Sequence, residues 1–203
     1  MDSNIEDMNR LFLTLCCALM LAGAKAQVAL DSTRRAPEYV QNIVARSGKI
    51  VNLLGLSNDD AKRNVLNVIA NRYFLLNDLY AKYASDRQAL EAELYKHHFE
   101  FAAALADYLT DGQIEAVKDG MTYGVVPKTY QAHLEMIPSL KEDEKLRILN
   151  WLKEAREFAI DASDAKSKHA WFGKYKGRIN NWLASRGYDL KAEREAWMKR
   201  VNK

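Results

Sequence analysis

Apolar residues recur at intervals close to 3.6 along almost the whole chain, and no period-two alternation runs long enough to predict a strand. Val65, Ile69, Leu76, Leu79 and Tyr83, flanked by Leu66, Tyr73 and Tyr80, mark a long helix. It opens near Asn58, where Ser57-Asn-Asp-Asp60 resembles a capping box. Before it, residues 37–46 predict a short helix ended by Ser47-Gly48. After it, residues 86–109 carry Leu90, Leu94, Phe101, Leu105 and Leu109 at helical spacing. Thr110 and Gln113 form a second capping box, opening a short helix that stops by Gly120. Residues 121–126 predict a loop, with Pro127 as the first residue of a helix that ends before Pro138. Ser139 to Glu142 predicts the N-cap of a helix through Leu146, Leu149, Leu152, Ala155 and Ala159. Residues 166–186 then end at Gly187, and Asp189 caps 190–201. The fold class is therefore all-α: residues 27–203 form a single bundle-like domain of six to eight helices.

The start of the chain follows a different pattern. Residues 11–23 form an unbroken apolar run after Arg10, followed by Ala24-Lys25-Ala26, the small-x-small pattern of a signal peptidase site. As a helix this run rises about 20 Å, short of a bilayer core of about 30 Å, so it predicts a signal peptide rather than an anchor. Cleavage after Ala26 and a periplasmic or secreted location are expected. Asp2, Glu6 and Asp7 precede the run where positive charge is usual, which makes Met8 the better translation start. Both cysteines, Cys16 and Cys17, lie inside the run, so the mature chain carries no disulfide or thiol chemistry. Leu15 stands where a lipoprotein site needs a small residue.

With nine Gly and three Pro in 203 residues, turn formers are too scarce for a many-stranded sandwich. The net charge of +3 conceals an asymmetry. Residues 164–203 carry +7, whereas residues 27–163 carry −3. A basic end of this kind is either a solvated helical surface or an anion site for carboxylate, sulfate or phosphate groups.

The same end concentrates aromatic residues. At about 100° per residue, Trp171, Tyr175, Arg178 and Trp182 share one helix face, and Ala170, Gly173, Gly177 and Ala184 share another. Each helical glycine costs about 1 kcal/mol relative to alanine, so two of them one turn apart predict the close approach of a helix or a ligand. Aromatic faces edged by an arginine suit a sugar ring as well as a core.

Two segments carry a family resemblance. Lys118-Asp-Gly-Met-Thr-Tyr-Gly-Val-Val-Pro-Lys-Thr-Tyr130 with Met136-Ile-Pro-Ser-Leu140, and Phe172-Gly-Lys-Tyr-Lys-Gly-Arg-Ile-Asn-Asn181 with Gly187-Tyr-Asp189, resemble an uncharacterised family of secreted proteins from glycan-degrading bacteria. That family is a domain of unknown function for which sugar binding is conjectured, and it supplies no catalytic or ligand residues to carry over. The candidate ligand-binding residues are therefore read from this chain: Trp171, Lys174, Tyr175, Arg178 and Trp182 on one helix, with Tyr123, Lys128 and Tyr130 from the loop-helix segment.

Signatures of catalysis are sparse. No Glu stands three residues before a histidine as a di-iron bundle requires, and there is no Gly-x-Ser-x-Gly elbow or phosphate-binding glycine loop. Glu93, His97 and Glu100 share a polar helix face, and the adjacent His97 and His98 point about 100° apart, too far to chelate one ion. No catalytic residue, metal or cofactor is expected. The expected partner is an oligosaccharide, acidic or sulfated to match the basic end. Neither nucleic acid nor a stable membrane anchor after cleavage is expected, and no feature of the sequence fixes the oligomeric state. An alternative is a helical interaction or chaperone-like protein, because Leu109-Thr-Asp-Gly-Gln113 matches a Leu-Thr-x-x-Gln pattern of small periplasmic stress proteins. A glycan-processing enzyme is the third reading and needs two facing carboxylates beside an aromatic pocket.

Overall fold

A computed structural model describes residues 27–202; the expected signal segment, its cleavage site and both cysteines lie outside them. Eight helices and no strand are present among the described residues: α1 (Pro37–Asn52), α2 (Asp59–Lys82), α3 (Arg87–Ala106), α4 (Asp111–Met121), α5 (Val125–Met136), α6 (Glu142–Ile160), α7 (Ala165–Ser185) and α8 (Leu190–Val201). None of these helices is long and apolar enough to cross a membrane.

Side-chain caps fix most of the helix starts. Asn58, Asp86, Asp164 and Asp189 accept hydrogen bonds from backbone N–H groups in the first turns of α2, α3, α7 and α8. Thr110 and Gln113 form the expected reciprocal box at α4. Four boundaries differ from the sequence expectation, and the first is the end of α3, which stops at Ala106 with Leu109 buried in the link that follows. Helix α1 continues through Ser47-Gly48 to Asn52, because Ile43, Ser47, Ile50 and Val51 are one continuous buried face that outweighs the local glycine. Helix α5 starts at Val125 rather than Pro127. Gly124, at φ 64°, turns the chain directly into the first turn, where the missing N–H of Pro127 is no loss. Helix α6 starts after Lys141 rather than Ser139, since Ile137 and Leu140 are buried in the link, and Glu144 accepts the Lys141 N–H at 3.0 Å.

Two main cores result. The first packs Ile50 and Val51 of α1, Val65 and Ile69 of α2, Phe101 and Leu105 of α3, and Ile114 and Val117 of α4. The second packs Val126 of α5, Ile148, Leu152 and Ala155 of α6, and Phe172, Ile179 and Leu183 of α7. Helix α6 belongs to both: its body lines the second core, and its last residue, Ile160, closes the first.

Candidate functional site

The seam between the cores is where the functional side chains gather. Helix α3 is apolar on two faces. Phe101 and Leu105 enter the first core, whereas Leu90, Leu94, Tyr95 and Phe99 recur at i, i+4, i+5 and i+9 on the other side. That second face does not reach the second core. It faces α6 and the start of α7 across a cleft of about 720 Å³, with Tyr80 at the end of α2 closing one side. Five aromatic side chains line the cleft: Tyr80, Tyr95, Phe99, Phe158 and Trp171. Tyr95, Phe99 and Phe158 are 73%, 64% and 46% exposed, so much of their apolar surface is open to the cleft and to solvent.

The polar wall comes chiefly from α6. Glu154, Glu157 and Asp161 recur at three- and four-residue spacing and all line the cleft, with Glu91 of α3 opposite. Asp161 is held from two sides: buried Arg72 donates from Nη2 to its Oδ1 at 2.5 Å, and His98 Nδ1 lies 2.6 Å from its Oδ2. An ionised carboxylate only accepts, so His98 donates to Asp161 from Nδ1, which leaves Nε2 on the opposite edge of the ring. That Nε2 is 3.8 Å from Glu157 Oε2, beyond hydrogen-bond reach. Glu157 is paired from behind by Lys118 Nζ at 2.8 Å and Arg156 Nη2 at 3.3 Å. Buried Arg156 also reaches Glu115 at 2.6 Å and Asp119 at 2.8 Å. Burial alone would raise the Glu115 carboxyl, but hydrogen bonds from Arg156 and Lys153 hold it down at about 2. The tyrosine hydroxyl of Tyr80 is pushed up by burial and by the Asp161 charge, and donates to the Asp161 main-chain oxygen at 3.1 Å. Behind this wall lies Lys168, whose ammonium is brought down to about 8 by burial; its Nζ donates to the Ala159 and Ile160 carbonyls at the end of α6, both at 3.2 Å.

Of the eight candidate ligand-binding residues, Trp171 alone lines the cleft. Its ring stacks on Phe158 at 4.7 Å and carries Lys174 Nζ 4.2 Å from its centroid. Tyr175 is buried between α6 and α7, and its hydroxyl is pushed up to about 12 by burial and by neighbouring Glu154. The stripe continues away from the cleft as a ladder of cations on rings. Arg178 lies 4.6 Å over Trp151, Arg147 reaches both Trp151 and Trp182, and Arg186 lies 5.7 Å from the Trp182 ring. Trp151 and Trp182 meet edge to face at 5.3 Å. Guanidinium groups thus occupy ring surface that a stacked sugar would need. The face with Gly173 and Gly177 is open: a Cβ at either would meet nothing within 4 Å, so no helix approaches there. Tyr123, in the left-handed region at φ 63°, stacks on His169 at 5.3 Å, and its carbonyl accepts from Lys128 Nζ at 3.1 Å. Tyr130 packs against the second core.

The histidine pair diverges as expected. His97 turns to Glu100 at 2.5 Å and to Glu93 at 3.6 Å, while His98 turns into the cleft. Among the described residues no group of three or more His, Cys, Asp or Glu side chains is placed to hold a metal ion. Sequence reasoning missed His98, Glu154, Glu157 and Asp161. The readable signal was the second apolar face of α3, which its companion core face did not need.

Residues 81–203, from the end of α2 onward, match a family described as a protein of unknown function. No curated protein matches the chain.

Proposed function

The chain belongs to the family of unknown function DUF3826, which passes on no activity, and we propose from the chain's own geometry that it is an exported saccharide-binding protein whose site is the cleft between α3 and α6. The observation that carries this reading is the pairing of exposed rings, Tyr95, Phe99 and Phe158, with a wall of carboxylate acceptors from Glu154 and Glu157. Sugar rings offer apolar faces that stack on aromatic carbon and hydroxyls that donate to such acceptors. The cation-covered ladder of Trp151 and Trp182 offers less open ring surface, so the cleft rather than the stripe is the better platform. Calorimetry against a panel of oligosaccharides tests this. Binding that falls at least tenfold in Phe99→Ala or Tyr95→Ala and is unchanged in Arg178→Ala is expected; the reverse pattern would move the site to the stripe.

One observation favours a second reading, a glycan-cleaving enzyme. The Arg72–Asp161–His98 chain orients an imidazole toward the cleft, and carboxylates stand on both walls, Glu91 on α3 and Glu154 and Glu157 on α6. Release of new reducing ends that is lost in His98→Gln, with ligand affinity kept, would support it.

A further inference from the structure

We propose that the saccharide held in this cleft carries protonated amines, so that the preferred ligand is an amino-sugar oligomer rather than an acidic or sulfated glycan. This rests on the reading of the cleft as a saccharide site. The lining is one-sided in charge. Four carboxylates, those of Glu91, Glu154, Glu157 and Asp161, face the cleft, against a single permanent cation, Arg87. Arg87 stands at the solvent rim, 90% exposed, and is already tied to Glu91 at 2.7 Å.

The cations that balance the inner carboxylates lie behind the wall. Arg72 and Arg156 are buried, and Lys118 is nearly so. They fix the carboxylates of Asp161 and Glu157 in place at the cleft wall. Glu154 has no cation within hydrogen-bond reach: the Tyr175 hydroxyl bonds to it, Arg178 is 3.8 Å away, and the carboxylate is half exposed. An ammonium group placed beside Glu154 gains a charge-assisted hydrogen bond, while a sulfate or uronate there meets like charge.

The aromatic rings point the same way. Phe99, Tyr95 and Phe158 line the same volume and are well exposed, and a partly desolvated cation over a ring face, within about 6 Å of the centroid, is attracted to it. A neutral sugar would use the rings and the hydroxyl acceptors and make no use of the charge. An amine-bearing sugar uses all three. The basic surface of α7 lies outside the cleft, with Lys174, Arg178 and Arg186 engaged on tryptophan rings, so it does not reverse the sign inside.

The test is calorimetric titration of the whole mature chain with glucosamine tetramer, its fully N-acetylated form, the corresponding glucose tetramer and spermidine. It is run at pH 6, where the amines are charged. The expected result is glucosamine tetramer binding at least tenfold more tightly than the acetylated and glucose forms, with the advantage shrinking in added salt. Glu154→Gln, an isosteric change at a half-exposed side chain, should bring the ratio of glucosamine-tetramer to glucose-tetramer affinity down toward one. Equal or better binding of the neutral tetramers overturns the amine proposal and leaves saccharide binding standing. No binding of any tetramer overturns both, and spermidine binding as tightly as the tetramer overturns the assignment of a sugar.

Discussion

Arg72 and Asp161, 89 positions apart, meet at 2.5 Å in the seam between the two cores. The arginine is almost wholly buried, and its other terminal nitrogen donates to the His97 carbonyl at 2.9 Å, so one guanidinium ties α2 to α3 and to the end of α6. Such a pair adds little over a well-packed apolar pair but is costly to break on one side, because the remaining charge is stranded. Arg72→Ala and Asp161→Ala should each destabilise by about 3–5 kcal/mol. Chemical denaturation of the double variant Arg72→Ala/Asp161→Ala should give a loss well below the sum of those two singles. Additive losses would mean that the two residues act independently.

Glycines in the helices divide by what surrounds them. Gly173 and Gly177 face open space, so Gly173→Ala and Gly177→Ala should each stabilise by about 1 kcal/mol, seen as a rise in Tm. Gly120 is different, since a Cβ there would lie 3.0 Å from Ile50 Cγ2 in the first core. Gly120→Ala should lower stability by about 1 kcal/mol, the overpacking outweighing the gain in helix propensity. A gain for Gly120→Ala, or a loss for the other two, would contradict the packing described.

Lys168 makes stability depend on pH in an unusual direction. Its ammonium is at about 8 in the folded protein and at about 10.4 when unfolded, so between those values the unfolded chain binds more protons and stability rises with pH. Below pH 8 both states are protonated, and the destabilisation from the buried charge is fully present. Between pH 7.5 and 9.5 the gain should be about 2 kcal/mol in urea unfolding, and Lys168→Met should flatten it. Above pH 10 the trend reverses, because Tyr73 and Tyr175 are held up at about 12 and keep their protons longer when folded. A wild-type profile that is flat across this window would mean that Lys168 is solvated.

How far the sequence led can be traced residue by residue. Short-range capping was readable: Asn58, Thr110, Gly187 and Asp189 all stand at the helix ends their chemistry predicts. Boundaries set by burial were not, as Ser47-Gly48 and Ile137 to Leu140 illustrate. The cleft was hidden for a related reason. Periodicity ranks faces within one helix, so it found the Trp171 to Trp182 stripe but could not see Arg178 lying on Trp151 of the neighbouring helix. Nor could it join His98 to Asp161 across 63 positions. The proposed ligand charge also runs against composition, because the positive charge collected on α7 and α8 lies outside the cleft while the carboxylates of α6 turn inward.

The first core carries a consequence for where this protein can be cut. The stretch matching the family begins at residue 81, yet Val65, Val68 and Ile69 of α2 and Ile50 and Val51 of α1 fill the same interior as Phe101, Leu105, Ile114 and Val117. Arg72 and Tyr80, which anchor Asp161 at the cleft, also precede that boundary. Isolated, residues 81–203 would keep the second core but present one side of the unfilled first interior to water and leave the Asp161 carboxylate without its buried guanidinium.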